Sequence, residues 1–272
     1  MDEQQITLEG SQQIAYSQTE GTGRAVIFVH GNSSSSRTWL PVMTAPFGQR
    51  YRCLAFDLPG HGSSAPARNP EDYSLPGYAT VLAAFAQATA AADAVVVGWS
   101  LGGHIALEAA PAMPAAAGYV VFGTPPVASA AQMSEAFLPN PVMNVGFTAA
   151  VSADEARAYA ASFTKVRSAL PLDGFVADIL RTDGEARSGL FASIRQNRFA
   201  DELAIVGALR QPLAILQGEG EQLISLDYLN KLTVPTLWRG AVQVIPGAGH
   251  ALHQETPEAF IALLEQFIVD LP

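Results

Sequence analysis

The chain contains one cysteine, Cys53, so no intramolecular disulfide can form. It lies between Arg52 and Leu54 in an apolar run and reads as core filler. Cations are also scarce, with 15 Lys and Arg against 25 Asp and Glu and a net charge of −10. No basic stripe is available to displace counterions from phosphates, so nucleic acid is not an expected partner. Long apolar runs are missing as well. The longest, 78–97, is interrupted by Thr80, Gln87, Thr89 and Asp93, and no membrane span is expected. The opening Met1-Asp2-Glu3-Gln4-Gln5 has no basic region leading into an apolar run, which predicts no secretory signal and a cytoplasmic location.

What is present describes a globular protein. Hydrophobic residues make up 49% of the 272 and charged residues 15%, enough for one large core or a core carrying an insertion. Two alternating stretches, "QITLEG" and "QQIAYSQ", meet at Gly10-Ser11 and predict an antiparallel hairpin at a sheet edge. Six short continuous apolar runs follow, at 25–30, 51–56, 93–98, 118–123, 212–217 and 241–246. Strands buried on both faces have this character.

Helical spacing over 78–90 and 101–112, and a last helix opened by Thr256 and Pro257, alternate with those runs. The alternation predicts an open α/β sheet. The interval 124–210 breaks the rhythm with helical pattern, no strong strand run, and a Ser152-Ala153-Asp154-Glu155 capping box. It is expected to form a helical lid on a core made of 1–123 and 211–272.

The run Val95-Val96-Val97 enters Gly98-Trp99-Ser100-Leu101-Gly102 and continues into an apolar helix. A tight strand-to-helix turn of this kind strains its central residue, and small residues two positions either side avoid collision. Ser100 is therefore placed as a nucleophile at a helix N-terminus that favours incoming negative charge. The alternative is a serine that merely caps the helix.

A serine hydroxyl needs a base within hydrogen-bonding reach and a carboxylate to orient that base. In a strand-turn-helix site of this kind the base comes last in the chain, which leaves His250 and His253, with His250 preferred after Gly249 at the loop apex. His30 reads as structural, and His61 and His104 as packing groups. The carboxylate should follow a late core strand, where Gly218-Glu219-Gly220-Glu221 offers Glu221 first and Glu219 second. Asp57 comes too early and is expected to tie the turn holding Gly60 and Gly62. For the oxyanion, the N–H groups of Leu101 and Asn32 are the expected donors. The Asn32 side chain either touches substrate or stabilises its own turn.

The order His30-Gly31, Gly98-x-Ser100-x-Gly102, Glu221, His250 resembles the α/β-hydrolase superfamily across nearly the whole chain. The segments "HGNSSSSRTW", "FGTPP", "RTDGEAR" and "AGHALHQETPEAF" are further similar to the α/β-hydrolase-fold N-acyl-homoserine lactonases. This resemblance implies a mostly parallel eight-stranded sheet flanked by helices, with a helical cap inserted after strand 6. It also implies a Ser100, His250, Glu221 triad and a lid tyrosine that hydrogen-bonds the lactone, for which Tyr159 is the candidate. Trp99, Phe137, Met143 and Phe147 are expected at the substrate, although an apolar lid must bury such residues anyway, as it would Phe163.

The implied partner is a small ester or lactone with an apolar acyl chain, acted on by a monomer or small homo-oligomer. A general carboxylesterase, a slow-hydrolysing ligand receptor and an acyltransferase share the same residues. Fold relatives with an aspartate nucleophile are denied by Ser100. Metal-dependent lactone cleavage uses a dense His-x-His-x-Asp-His cluster, and His250-x-x-His253 is too sparse for one. No metal and no cofactor are therefore expected. Hydrolysis should persist in excess EDTA, and a loss restored by added zinc would contradict the serine reading.

Overall fold

Val95, Val96 and Val97, and the stretch from Tyr119 to Phe122, are buried on both faces, as strands covered by helices on either side must be. The computed structural model describes residues 1–272. Its eight strands are β1 (Glu3–Thr7), β2 (Gln13–Gln18), β3 (Gly23–Val29), β4 (Tyr51–Phe56), β5 (Val95–Trp99), β6 (Gly118–Phe122), β7 (Leu213–Gly218) and β8 (Gln243–Ile245). They form one sheet in the order β1-β2-β4-β3-β5-β6-β7-β8. The β1–β2 and β2–β4 pairs are antiparallel and every other pair is parallel. The expected eight-stranded α/β-hydrolase fold is the one observed.

Seven longer helices accompany the sheet: α1 (Leu75–Ala88), α2 (Leu101–Ala109), α3 (Ala153–Ala161), α4 (Asp173–Arg181), α5 (Gly184–Arg195), α6 (Glu202–Ala208) and α7 (Pro257–Val269). α1 starts earlier than the spacing predicts. The Ser74 hydroxyl caps it by accepting from the Gly77 N–H, and Pro76 fits the first turn, where no intrahelical acceptor awaits an N–H. Thr256 stands at the N-cap position of α7, but its hydroxyl donates back to the Leu252 carbonyl at 3.1 Å and caps nothing. The hairpin turn is longer than two residues, spanning a 3₁₀ turn at Glu9–Ser11. No helix is long and apolar enough to cross a membrane.

The segment 123–212 between β6 and β7 contains no strand and carries α3 to α6. Both halves of the Ser152–Glu155 capping box are formed at the start of α3. The buried Arg187 guanidinium holds this segment together by donating to the carbonyls of Thr148, Ala149, Ile179 and Thr182. The segment is tied to the loop after β3 through Asp178, which accepts from the Ser35 hydroxyl and pairs with Arg37. The motif "HGNSSSSRTW" thus meets the inserted segment at a carboxylate three residues before "RTDGEAR" begins.

Asp57 does more than tie its own turn. Its buried carboxylate accepts from the Ser63 N–H at 2.7 Å and from the Ser36 N–H at 2.6 Å, joining the loops that leave β4 and β3. Asp57→Ala leaves the buried Ser36 N–H and the part-buried Ser63 N–H unpaired, and a destabilisation of about 3 kcal/mol is expected from urea unfolding. A change within about 0.5 kcal/mol, typical of surface sites, would contradict this role.

Candidate active site

Ser100 joins β5 to α2 with φ 55° and ψ −119°, a conformation an L-residue rarely adopts. Four hydrogen bonds hold it there. Its N–H donates to the Phe122 carbonyl at 2.9 Å, and its carbonyl accepts from the N–H groups of Gly103 and His104 and from the Thr124 hydroxyl. The flanking glycines are required by close approach. A Cβ on Gly98 would stand 2.3 Å from the Gly102 carbonyl oxygen, and one on Gly102 would stand 2.2 Å from that of Val29. Strand, turn and helix are packed backbone to backbone.

Two backbone donors face the same space. The N–H groups of Asn32 and Leu101 have no partner in the protein, and both residues line a cavity of about 300 Å³ together with Ser100. The Asn32 side chain touches its own turn, its Oδ1 accepting from the Ser33 hydroxyl at 3.2 Å, and also reaches beyond it. Its amide donates to the Gly146 carbonyl at 2.6 Å, so it fastens the loop after β3 to the inserted segment.

His250 Nδ1 lies 2.8 Å from Glu221 Oε2, with the two side chains only 2% and 3% exposed. The second carboxylate oxygen accepts from the Leu223 N–H at 2.8 Å. The carboxylate therefore fixes the proton on Nδ1 and leaves Nε2 as the basic nitrogen. Backbone bonds join the two loops, from Glu219 N–H to Ile245 and from Gly220 N–H to Ala248. The imidazole rests on Gly123, directly after the strand end that binds Ser100 N–H; at φ +61° this position favours glycine, and a Cβ there would come within 2.5 Å of the ring.

The alternatives are occupied elsewhere. Glu219 accepts from the Gly247 N–H at an exposed edge. His253 is fully buried, bonded to the Thr38 hydroxyl and packed against Trp39 and Trp99. Burial, with His250 nearby, holds its pKa well below the usual histidine value. His30 bonds the Gly31 carbonyl through Nδ1 and accepts the Leu58 N–H at Nε2, and burial lowers its pKa to about 4. His61 is buried beside it and bonds the Pro59 carbonyl.

Trp99 requires a correction. It was expected at the substrate, but it is 1% exposed and does not line the cavity. Its indole N–H donates to the His250 carbonyl at 2.9 Å, and its ring packs against His250, Phe163 and Phe175. The inward face of the strand end directs it behind the histidine. Phe163 is likewise packing.

Phe137, Met143, Phe147 and Tyr159 do line the cavity. The Tyr159 hydroxyl has no protein partner and lies beside Gly146 and the Asn32 amide, with its pKa raised by burial. Sequence reasoning missed the cavity residues Leu190, Phe191 and Ile194, an i, i+1, i+4 apolar stripe on α5. It also missed Glu255, whose carboxylate accepts from the N–H groups of Gly249 and Lys165 and from the Ser168 hydroxyl, tying the His250 loop to the inserted segment.

His104 was read as packing, yet it lines the same cavity. Its Nδ1 lies 2.7 Å from the Glu202 carboxylate, which also accepts from the Val127 N–H. Burial opposes charging of this imidazole, but Glu202, with Glu108 behind it, more than offsets burial and raises the pKa. Burial pushes the Glu108 carboxyl up to about 7.

Residues 26–263 match the alpha/beta hydrolase family, and the chain belongs to it. Among solved structures it is similar to N-acyl homoserine lactonase AidH. A mutant of that enzyme complexed with N-hexanoyl homoserine lactone is 34% identical with a TM-score of 0.94, covering 99% of this chain and 98% of that one. Among curated proteins it is 30% identical over 243 residues to a pimeloyl-[acyl-carrier protein] methyl ester esterase of Xanthomonas campestris pv. campestris, covering 88% of this chain and 85% of that protein. It is 27% identical over 266 residues to 2-(acetamidomethylene)succinate hydrolase of Mesorhizobium japonicum, covering 92% and 89%.

The close backbone approach at the elbow gives a direct test. Gly102→Ala is expected to destabilise the fold by about 3 kcal/mol, since the contacted atoms are backbone and cannot swing aside. The midpoint of urea unfolding measures this, and an unchanged midpoint would contradict the packing described.

Proposed function

We propose that this chain hydrolyses a carboxylic ester bond through an acyl-enzyme on Ser100, and that its substrates are N-acyl homoserine lactones. The observation that carries the reading is the buried His250–Glu221 pair beside a cavity into which Ser100 and two unpaired backbone N–H groups open. Full-length similarity at 34% identity to a lactonase complexed with such a lactone supports the substrate. Residues 1–123 and 211–272 act as the core, and 124–210 as a cap over the site.

In this mechanism Glu221 holds Nδ1–H, and His250 Nε2 takes the Ser100 proton as Oγ bonds to the lactone carbonyl carbon. The N–H groups of Asn32 and Leu101 stabilise the oxyanion. Collapse breaks the ring carbon–oxygen bond, and Nε2–H gives its proton to the departing ring oxygen. Nε2 then takes a proton from water as the water oxygen adds to the acyl carbon. The second collapse returns that proton to Ser100 and releases the N-acyl homoserine. Tyr159 donates to the lactone, and Phe137, Met143 and Phe147 receive the acyl chain.

A second reading, a general carboxylesterase, is favoured by similarity to the methyl ester esterase. The two are ranked by kcat/KM on N-acyl homoserine lactones of short and long chain against p-nitrophenyl esters. The expected outcome is higher efficiency on lactones, with Ser100→Ala lowering kcat by about 10⁴-fold or more. Turnover of esters alone would move the assignment to the esterase. Absence of fluorophosphonate labelling at Ser100 would overturn both.

A further inference from the structure

The cavity contains a second imidazole–carboxylate pair that the proposed chemistry does not use. His104 and Glu202 reproduce the Nδ1–carboxylate contact of His250 and Glu221, at 2.7 Å, with Glu202 wholly buried. Glu202 carries the structural work, since it also accepts the Val127 N–H and belongs to α6, which packs against α2. His104 Nε2 has no partner in the protein, and its ring lines the cavity, stacked with Phe137 at 6.3 Å between centroids. Around it the wall is apolar, from Val127, Met133 and Phe137. An all-hydrocarbon chain would gain nothing from a polar nitrogen placed there.

We propose that His104 binds a hydroxyl on the third carbon of the acyl chain, making β-hydroxyacyl homoserine lactones the preferred substrates. The inference rests on the lactonase reading above and deepens it. His104 follows Ser100 by four residues, and its N–H bonds the Ser100 carbonyl, so it stands one helical turn, about 6 Å, along the wall from the nucleophile. The third acyl carbon lies five covalent bonds from the lactone carbonyl carbon, a comparable reach when extended. Glu202 fixes the proton on Nδ1, so Nε2 is an acceptor when the ring is neutral and a donor when it is charged. A hydroxyl satisfies both states. A ketone, which only accepts, satisfies one.

The test compares kcat/KM for β-hydroxyacyl and unsubstituted acyl homoserine lactones of equal chain length, in the wild type, His104→Phe and His104→Gln. The wild type is expected to prefer the hydroxylated chain by about fivefold, the worth of one hydrogen bond. His104→Phe keeps a ring against Phe137 and should bring that ratio to about one, while His104→Gln retains part of it. A wild-type ratio of about one, or a ratio unmoved in the variants, overturns the proposal even where lactones are cleaved. Should His104→Phe not fold, the wild-type and His104→Gln ratios decide on the same scale. A wild type that cleaves esters but no lactone sinks the lactonase reading, and this proposal with it.

Discussion

The backbone of Ser100 is the constraint on which the rest of the site depends. Its strained conformation costs on the order of 1–3 kcal/mol, and it persists because the surroundings over-determine it. Four hydrogen bonds pin the residue, and the backbones of β3, β5 and α2 meet around it without room for a Cβ on Gly98 or Gly102. The strain has a geometric yield. It turns the chain through a corner too sharp for a relaxed residue, so the hydroxyl and the Leu101 N–H open into one cavity. The other members of the proposed catalytic machinery follow other strand ends, with Asn32 after β3, Glu221 after β7 and His250 after β8, and Gly123 after β6 carries the imidazole. Open α/β sheets bind ligands beyond the carboxyl ends of their strands for this reason.

Two imidazoles in this chain share one local arrangement and differ in what lies around them. His250 and His104 each present Nδ1 to a buried glutamate. His250 sits on a loop held from three sides, by the Trp99 indole, by Glu255 and by the backbone of the Glu221 loop. His104 sits on a helix, and its carboxylate partner Glu202 comes from the inserted segment, where it also holds the Val127 N–H. The same pairing thus occurs twice, once on the loop after β8 and once on α2, where His104 and Glu202 line the cavity that Ser100 also lines. Under the two proposed roles, what separates the base from the recognition group is its surroundings and not the pairing itself.

Much of the fold was legible because buried parallel strands need continuous apolar runs, and six of the runs became strands 3 to 8. The elbow was legible because its strain demands glycine at fixed offsets. Contact between His250 and Glu221 followed from chain order, since each succeeds a late strand. What stayed hidden were contacts whose partners are far apart in the chain and chemically ordinary. Glu255 looks like one acid of a helix start, yet it gathers three donors from two segments. Glu202 looks like a first-turn acid, yet it meets a histidine on another helix. Trp99 misled because its neighbour is Ser100. Adjacent residues at a strand end point to opposite faces, so the neighbour of an exposed nucleophile is more often packing than pocket.

A lactone asks more of this arrangement than an open ester does. After the ring opens, the leaving alcohol remains tethered to the acyl group, and its return to the carbonyl enjoys a high effective concentration. Hydrolysis succeeds only if water is activated before the ring recloses. In the proposed mechanism His250 has by then given its proton to that alcohol, so Nε2 is again basic beside the released hydroxyl. The groups that hold the tethered arm away from the acyl carbon then bear on turnover as much as the base does. The Asn32 amide and Tyr159 hydroxyl are set together beside Gly146, and both residues line the cavity with Ser100. Under the proposed function, the tie between the loop after β3 and the inserted segment holds both groups at the cavity where the opened arm must be accommodated.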